Sequence, residues 1–233
     1  MTGCVELRAR SSQAISREVG YTKGVALTQE QKDVLVGLLL GDGSLEFDKF
    51  KASRLQIKQA ESRAEYVFWL HDFFRDITKT PPQQRKDTKQ WYFGTRYVRD
   101  LESWRSLFYL NGKKIVPSTI EELIQSPATL AIWFMDDGTL DYRERYHYSF
   151  SLSTDSFSRE EVKILSRVLW NRFGIKSSVQ YPLCRGKRYA KLYIGKDGRD
   201  VFLKIIQPFV LSCFSYKLPP QHRLTPQRLS SMM

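Results

Sequence analysis

Hydrophobic residues along the chain follow a few distinct rhythms, and their order predicts the architecture. Two stretches are apolar almost without interruption and then stop at acid and glycine. They are Leu35-Val36-Gly37-Leu38-Leu39-Leu40-Gly41-Asp42-Gly43 and Leu130-Ala131-Ile132-Trp133-Phe134-Met135-Asp136-Asp137-Gly138. Each reads as a buried helix with a carboxylate in its last turn, ended by a glycine in left-handed backbone. Thr28-Gln29-Glu30-Gln31 is a capping-box pattern that opens the first, and Ser126-Pro127 is a cap and first-turn pair that opens the second. Placed side by side, the two helices bring Asp42 and Asp137 together at one end.

After each motif the rhythm changes to strict alternation, which predicts a strand with one wet face. Arg54-Leu55-Gln56-Ile57-Lys58 does this in the first half and Tyr148 to Ser153 in the second. Helical spacing then returns. Ser62-Arg63-Ala64-Glu65 reads as a capping box before Tyr66, Trp69, Leu70, Phe73, Phe74 and Ile77. Ser158-Arg159-Glu160-Glu161 reads likewise before Val162, Leu165, Val168, Leu169 and Phe173, with Gly174 at the end. A basic hairpin (Arg85 to Lys89) leads to Trp91-Tyr92-Phe93-Gly94. In the second half two strands, Ser177 to Tyr181 and Ala190 to Ile194, flank the basic loop Cys184 to Arg188. A further helix follows in each half. The first carries Leu101, Trp104, Leu107, Phe108 and Leu110 and is stopped by Asn111-Gly112; the second carries Val201, Phe202, Ile205, Ile206 and Phe209. Lys113 to Pro117 is a connector before a short helix from Thr119 to Gln125.

The halves are a duplication. The capping serine follows the motif aspartate by 20 residues in one half and 21 in the other. Tyr92-Phe93-Gly94 before Arg99-Asp100-Leu101 matches Tyr193-Ile194-Gly195 before Arg199-Asp200-Val201, and Lys114…Pro117 matches Lys217…Pro219. Each half reads helix, two strands, helix, two strands, helix. The predicted fold is therefore α+β: two pseudo-twofold-related αββαββα units, each with a four-stranded antiparallel sheet, packed through the motif helices. The predicted divisions are an extension at 1–27, halves at 28–125 and 126–220, and a tail at 221–233.

Composition narrows the partner. The 233 residues are 42% hydrophobic and 13% aromatic, enough to bury a core. Lys and Arg outnumber Asp and Glu by 37 to 25, giving a formal charge of +12. That favours a polyanion, nucleic acid first and an acidic membrane second. No apolar run reaches membrane-spanning length, so no membrane partner is expected. Cys4, Cys184 and Cys213 are far apart, without zinc spacing or a disulfide framework, which points to a reducing compartment. Residues 1–27 mix Arg8, Arg10 and Arg17 with Glu6 and Glu18 and read as an untidy basic arm rather than a transit peptide.

The motif pair and the two lysine segments, Lys113-Lys114-Ile115-Val116-Pro117 and Tyr216-Lys217-Leu218-Pro219, carry a resemblance. From about residue 28 to residue 220 the chain resembles single-chain LAGLIDADG homing endonucleases with two motif copies. It is most similar to their monomeric, intron-encoded mitochondrial branch. It departs from the consensus at Leu40, where the first motif aspartate would stand, and at bulky Ile132, where Gly37 allows close helix approach in the first motif.

The residues themselves call for a cation. A carboxylate at a helix C-terminus faces an already negative dipole. Two of them ~6 Å apart repel by roughly 3 kcal/mol at an effective dielectric near 20. Hard divalent ions with oxygen ligands fit such a site, Mg²⁺ first with Mn²⁺ as a substitute. The resemblance implies that Asp42 and Asp137 are catalytic and metal-binding, with Lys114 and Lys217 as basic active-site groups. It places Gly41 and Asp136 at the metal too, Asp136 either behind the ligands or as an extra carboxylate at the metal's edge. Gln59, Lys58 and Ser153 fall where relatives keep water-organising polar groups, or else simply end strands.

Recognition of double-stranded DNA would use the sheets, whose alternate side chains can follow the major groove. The candidates are Arg54, Gln56, Lys58, Arg85, Lys86, Lys89 and Arg96 in the first half. In the second they are Arg143, Arg145, Arg185, Lys187, Arg188 and Lys191. The resemblance implies a monomeric enzyme that cuts one phosphodiester per strand at a long non-palindromic target, leaving 3′ overhangs. An intron maturase binding RNA and a non-catalytic DNA-binding protein are the alternatives; retention of both aspartates favours cleavage. No protein-splicing junction flanks the core, so a free-standing protein is expected, in an organelle or a prokaryotic cytoplasm.

Overall fold

The computed structural model describes residues 26–48, 52–144, 147–184 and 186–223. The first half runs α1 (Gln29–Leu40), β1 (Ser44–Phe47), β2 (Ser53–Gln59), α2 (Ala64–Phe73), β3 (Gln83–Gln84), β4 (Trp91–Gly94) and α3 (Arg99–Phe108). A small hairpin, β5 (Tyr109–Leu110) and β6 (Lys113–Lys114), and a short helix α4 (Ile120–Leu123) lead to the second motif helix α5 (Pro127–Asp137). The order then repeats as β7 (Gly138–Arg143), β8 (His147–Ser153), α6 (Arg159–Phe173) and β9 (Ser178–Gln180). A hairpin of β10 (Leu183–Cys184) and β11 (Lys187–Arg188) precedes β12 (Lys191–Ile194) and α7 (Arg199–Ile206).

Two four-stranded antiparallel sheets result, ordered β1-β2-β4-β3 and β7-β8-β12-β9. Their registers correspond: β2 lies between β1 and β4 with Gln56 opposite both Ser44 and Gly94, and β8 lies between β7 and β12 with Leu152 opposite both Gly138 and Leu192. Alternation holds along β2, where Leu55 and Ile57 point into the core while Arg54, Gln56 and Lys58 face outward. The predicted αββαββα order and sheets are therefore present in both halves.

The motif helices α1 and α5 pack along each other and form the seam. Both are apolar on every side along their C-terminal parts because these are covered on every side, α1 burying Val34 through Leu40 and α5 Leu130 through Asp136 in succession. Side chains such as Leu35, Leu39, Trp133 and Phe134 are fully buried, each worth about 1.5–3 kcal/mol of transfer free energy. One hydrophobic cluster spans both halves. Thr28 and Ser158 make complete capping boxes, and the Ser126 hydroxyl accepts from Ala128 N at 3.2 Å.

Several expectations need correcting. Gly43 and Gly138 do not end their helices in left-handed backbone; among the described glycines only Gly112, Gly174 and Gly186 have positive φ. They are needed for space, since a Cβ at Gly138 would come within 2.0 Å of the Phe134 ring and one at Gly43 within 2.8 Å of Leu38 Cβ. Ser62 caps nothing: Glu61–Arg63 form a 3-10 turn and α2 starts after Arg63 without a side-chain cap. Asn111-Gly112 is a hairpin turn rather than a helix stop. Both residues take positive φ, 51° and 77°, and join β5 to β6. What read as a connector is thus a hairpin, and it carries Lys114.

Candidate active site

The site lies at the C-terminal ends of α1 and α5. Asp137 is the last residue of α5, and Asp42 follows α1 by two positions. Asp42 is exposed, Asp137 is half-buried and Asp136 is buried. Asp42 looks into a concavity of about 560 Å³ shared with Lys58, Gln59, Arg63 and Arg85. Asp137 looks into one of about 390 Å³ shared with Ser153, Tyr216, Lys217 and Arg63. Arg63 lines both, so the two openings adjoin across the seam.

Each motif end is closed by a lysine, and both lysines are withdrawn from solvent. Lys114 Nζ donates to the Gly41 carbonyl at 2.6 Å. Lys217 Nζ donates to the Met135 carbonyl at 2.6 Å, with Phe134 O at 3.3 Å and Asp136 O at 3.4 Å. Both satisfy carbonyls that a helix C-terminus leaves unpaired, and their charge suits the negative end of the dipole. Burial lowers the Lys114 ammonium below the usual lysine range against the pull of the three aspartates. Burial, helped by nearby Arg63, lowers Lys217 to about 8.

The carboxylates are pushed the opposite way. Asp137 rises to about 7, first because it is desolvated and then because Asp42 faces it; Lys114 and Lys217 oppose the shift. Asp136 rises well above the carboxylate range for the same two reasons. Its Oδ2 accepts from the Asp42 backbone N at 3.1 Å, and its Oδ1 lies 3.4 Å from Gln59 Nε2. Gln59 also donates to Asp42 Oδ2 at 2.9 Å. The buried Tyr66 hydroxyl is near enough to Asp136 to respond to its charge yet has no partner at hydrogen-bond geometry.

This donor set suits a hard divalent cation. It is all oxygen, and Asp137 holds a proton near neutrality that a cation could displace. Among the described residues no group of three or more His, Cys, Asp or Glu forms a metal cage. A small ion here would draw part of its shell from water or a bound phosphate, as Mg²⁺ commonly does.

Paired motif ends, a lysine on each and two adjoining polar openings match a known group of proteins. The model of the LAGLIDADG DNA endonuclease family matches residues 32–200. The chain belongs to that family. It is 30% identical over 203 residues to the cytochrome b mRNA maturase bI2 of Debaryomyces hansenii, covering 82% of this chain and 74% of that protein. It is 24% identical to the DNA endonuclease I-ChuI of Chlamydomonas applanata, covering 83% and 96%. Among solved structures it resembles the homing endonuclease I-WcaI bound to its DNA recognition sequence. The TM-score is 0.73 at 25% identity, covering 84% of this chain and 89% of that one.

In this LAGLIDADG chain the residues read from sequence are placed as follows. Asp42, Asp137, Lys114, Lys217, Gly41, Asp136 and Gln59 converge on the seam, and Ser153 and Lys58 line the openings. Gln59 is buried and bonded to Asp42, whereas Lys58 beside it points outward. Arg54 and Gln56 lie on the outer face of β2. Arg85, Lys86 and Lys89 are exposed at the β3–β4 turn, Lys187 and Arg188 are exposed on β11, and Lys191 is half-buried on β12. Arg143 is exposed on β7, 3.8 Å from Asp141. Arg96 is half-buried just after β4, and its guanidinium donates to the Asp76 carbonyl at 2.5 Å. Arg145 and Arg185 lie outside the described residues.

Arg63 is the site residue the sequence reading missed. Its guanidinium donates to Gln59 Oε1 at 2.9 Å and to the Tyr216 hydroxyl at 3.3 Å, and lies over the Phe214 ring. The signal was available: a basic residue four positions after Gln59, where strand gives way to helix. The capping-box pattern Ser62-Arg63-Ala64-Glu65 masks it, and the chain does not form that box.

Proposed function

We propose that the chain is a site-specific double-strand DNA endonuclease that hydrolyses one phosphodiester per strand. The observation that carries this reading is the pair Asp42 and Asp137 at the seam, each in an opening with basic side chains, in a chain of this family. The DNA complex of I-WcaI supports the same substrate class. The halves at 28–125 and 126–220 would each serve one strand within a monomer, at a long non-palindromic target, leaving 3′ overhangs.

Asp42 and Asp137 would hold the divalent ion, Mg²⁺ or Mn²⁺, with the Gly41 and Asp136 positions behind them. When bound, the ion supplies Lewis-acid activation of water and neutralises charge on the leaving 3′ oxygen. Lys114 and Lys217 face the charge that develops on the phosphate, and Arg63 is placed to reach it from either opening. Gln59 orients Asp42 and can order a water beside it. Arg54, Gln56, Lys58, Arg85, Lys86, Lys89, Arg143, Lys187, Arg188 and Lys191 supply the basic surface. With about eight phosphates contacted, log K would fall against log salt with a slope near −7.

The maturase relative favours a second reading, an RNA-binding role in splicing the host intron. The proposed setting is an organelle or a prokaryotic cytoplasm. Among the described residues no helix is long and apolar enough to cross a membrane. The deciding experiment is Asp137→Asn assayed on a target selected from a randomised duplex library: binding retained and Mg²⁺-dependent cutting lost. Unchanged cutting by that variant would refute the assignment.

A further inference from the structure

The outer face of the first sheet carries an acidic residue where a DNA-binding surface would gain from bases alone. Glu46 on β1 is about half exposed and stands across the strand pair from Arg54, in register with it. A carboxylate there repels phosphate, so its presence weakens binding unless it does something else. Its Oε2 accepts two hydrogen bonds, from Arg54 Nε and Gln56 Nε2, each at 2.8 Å, and forms an ion pair with Arg54 Nη2 at 2.6 Å. Those bonds hold the Glu46 carboxyl below its usual range, so it is ionised at neutral pH.

Arg54 is also held from a second side, its guanidinium 5.0 Å from the centre of the Tyr97 ring. Gln56 lies over Gly94, its register partner on β4; a Cβ at Gly94 would come within 3.2 Å of Gln56 Oε1. Two long side chains that would otherwise sample many rotamers are thus fixed before any ligand arrives. Among the described residues no partner takes the Arg54 Nη1 donors, nor the Gln56 carbonyl oxygen and its second N–H. These are the groups that read guanine and adenine edges in the major groove.

Resting on the endonuclease reading above, we propose that Glu46 is a specificity-determining residue. It trades affinity for discrimination by presetting Arg54 and Gln56 against two neighbouring base pairs, a guanine pair opposite Arg54 first. Prior ordering lowers the entropy lost on correct contact, and a wrong base leaves the preset donors unpaired.

The test uses the whole chain and a duplex selected from a randomised library. Wild type, Glu46→Ala, Glu46→Gln and Arg54→Ala are then measured against every single-base-pair variant of that duplex. Arg54→Ala should lose about tenfold to a hundredfold discrimination at one guanine pair. Glu46→Ala should lose discrimination at the same pair and its neighbour while binding unrelated duplex at least as tightly as wild type. Glu46→Gln, which keeps an acceptor of the same reach, should retain most of it. A Glu46→Ala profile identical to wild type, or altered only at pairs that Arg54→Ala leaves alone, would overturn the inference. A wild-type chain that selects no duplex would instead overturn the endonuclease reading.

Discussion

Asp42 and Asp136 belong to different halves of the chain yet are joined directly, the backbone N–H of Asp42 donating to Oδ2 of Asp136 at 3.1 Å. The two ends of the motifs therefore fix each other. Asp136 lines the Asp137 opening and also reaches the peptide that presents Asp42, and Gln59 ties the two carboxyls together from β2.

Removing that brace should cost both stability and rate. Asp136→Ala leaves the part-buried Asp42 N–H without this partner, a penalty of about 1–2 kcal/mol. Asp136→Asn keeps one acceptor oxygen and should lose about 1 kcal/mol. Denaturant melts order the variants, and cutting of a selected duplex should follow the same order with binding little changed. Equal cutting by Asp136→Ala and wild type would remove the positioning role.

The pH dependence of the ion-free protein has a defined sign. Asp137 sits at about 7 in the fold against 3.8 unfolded. Between those values the folded state keeps a proton that the unfolded chain has released, so this group's contribution to stability falls as pH rises through the window. The loss is at most about 4 kcal/mol for a shift of this size. From pH 5.5 to 7.5, after ordinary carboxylates have titrated, Asp137→Asn should flatten that decline. Mg²⁺ should raise the melting temperature of wild type more at pH 7.5 than at 5.5. A larger Mg²⁺ effect at the lower pH would contradict this.

Much of this was legible in the sequence because it depends on local rhythm. Strict alternation marked β2 and β8, and the capping boxes at Thr28 and Ser158 marked two helix starts. What was not legible depends on contacts in space, some local and some remote, that residue type alone does not reveal. Gly43 and Gly138 look like helix stops by residue type, but the neighbouring turn is what forbids a side chain there. Asn111-Gly112 fits a hairpin turn as well as a helix stop; the pairing of Tyr109 with Lys114 decides between them. Arg63 acquires a role only when Tyr216, more than 150 positions later, meets it across the seam.

Lys114 closes the end of α1 and also faces the aspartates, so its removal separates structure from chemistry. Lys114→Ala frees one carbonyl at a half-exposed position, a modest loss of stability. If its charge stabilises the phosphate during cutting, single-turnover rates should fall about 100-fold. Affinity in Ca²⁺, where binding can be measured without turnover, should change by less than tenfold. A large loss of affinity at an unchanged rate would make Lys114 a phosphate clamp instead.

Gly37 governs how near the two motifs can come. A Cβ there would meet Ile132 Cβ at 2.7 Å and the Thr129 carbonyl at 2.7 Å, so one contact is with backbone that cannot rotate away. The Thr129 hydroxyl also bonds the Asp33 carbonyl at 2.9 Å, which fixes the helices at this level. Gly37→Ala must push α1 from α5, at a cost of about 1–3 kcal/mol for overpacking. Trimming Ile132 as well, in Gly37→Ala with Ile132→Ala, removes the Cγ2 contact at 2.9 Å but keeps both the Cβ and the carbonyl contacts, so the double variant should not recover wild-type stability. Because Asp42 and Asp137 stand at the ends of these helices, Gly37→Ala should also raise the Mg²⁺ concentration needed for half-maximal cutting. A variant as stable as wild type with unchanged Mg²⁺ dependence would mean that the seam does not set the spacing of the carboxylates.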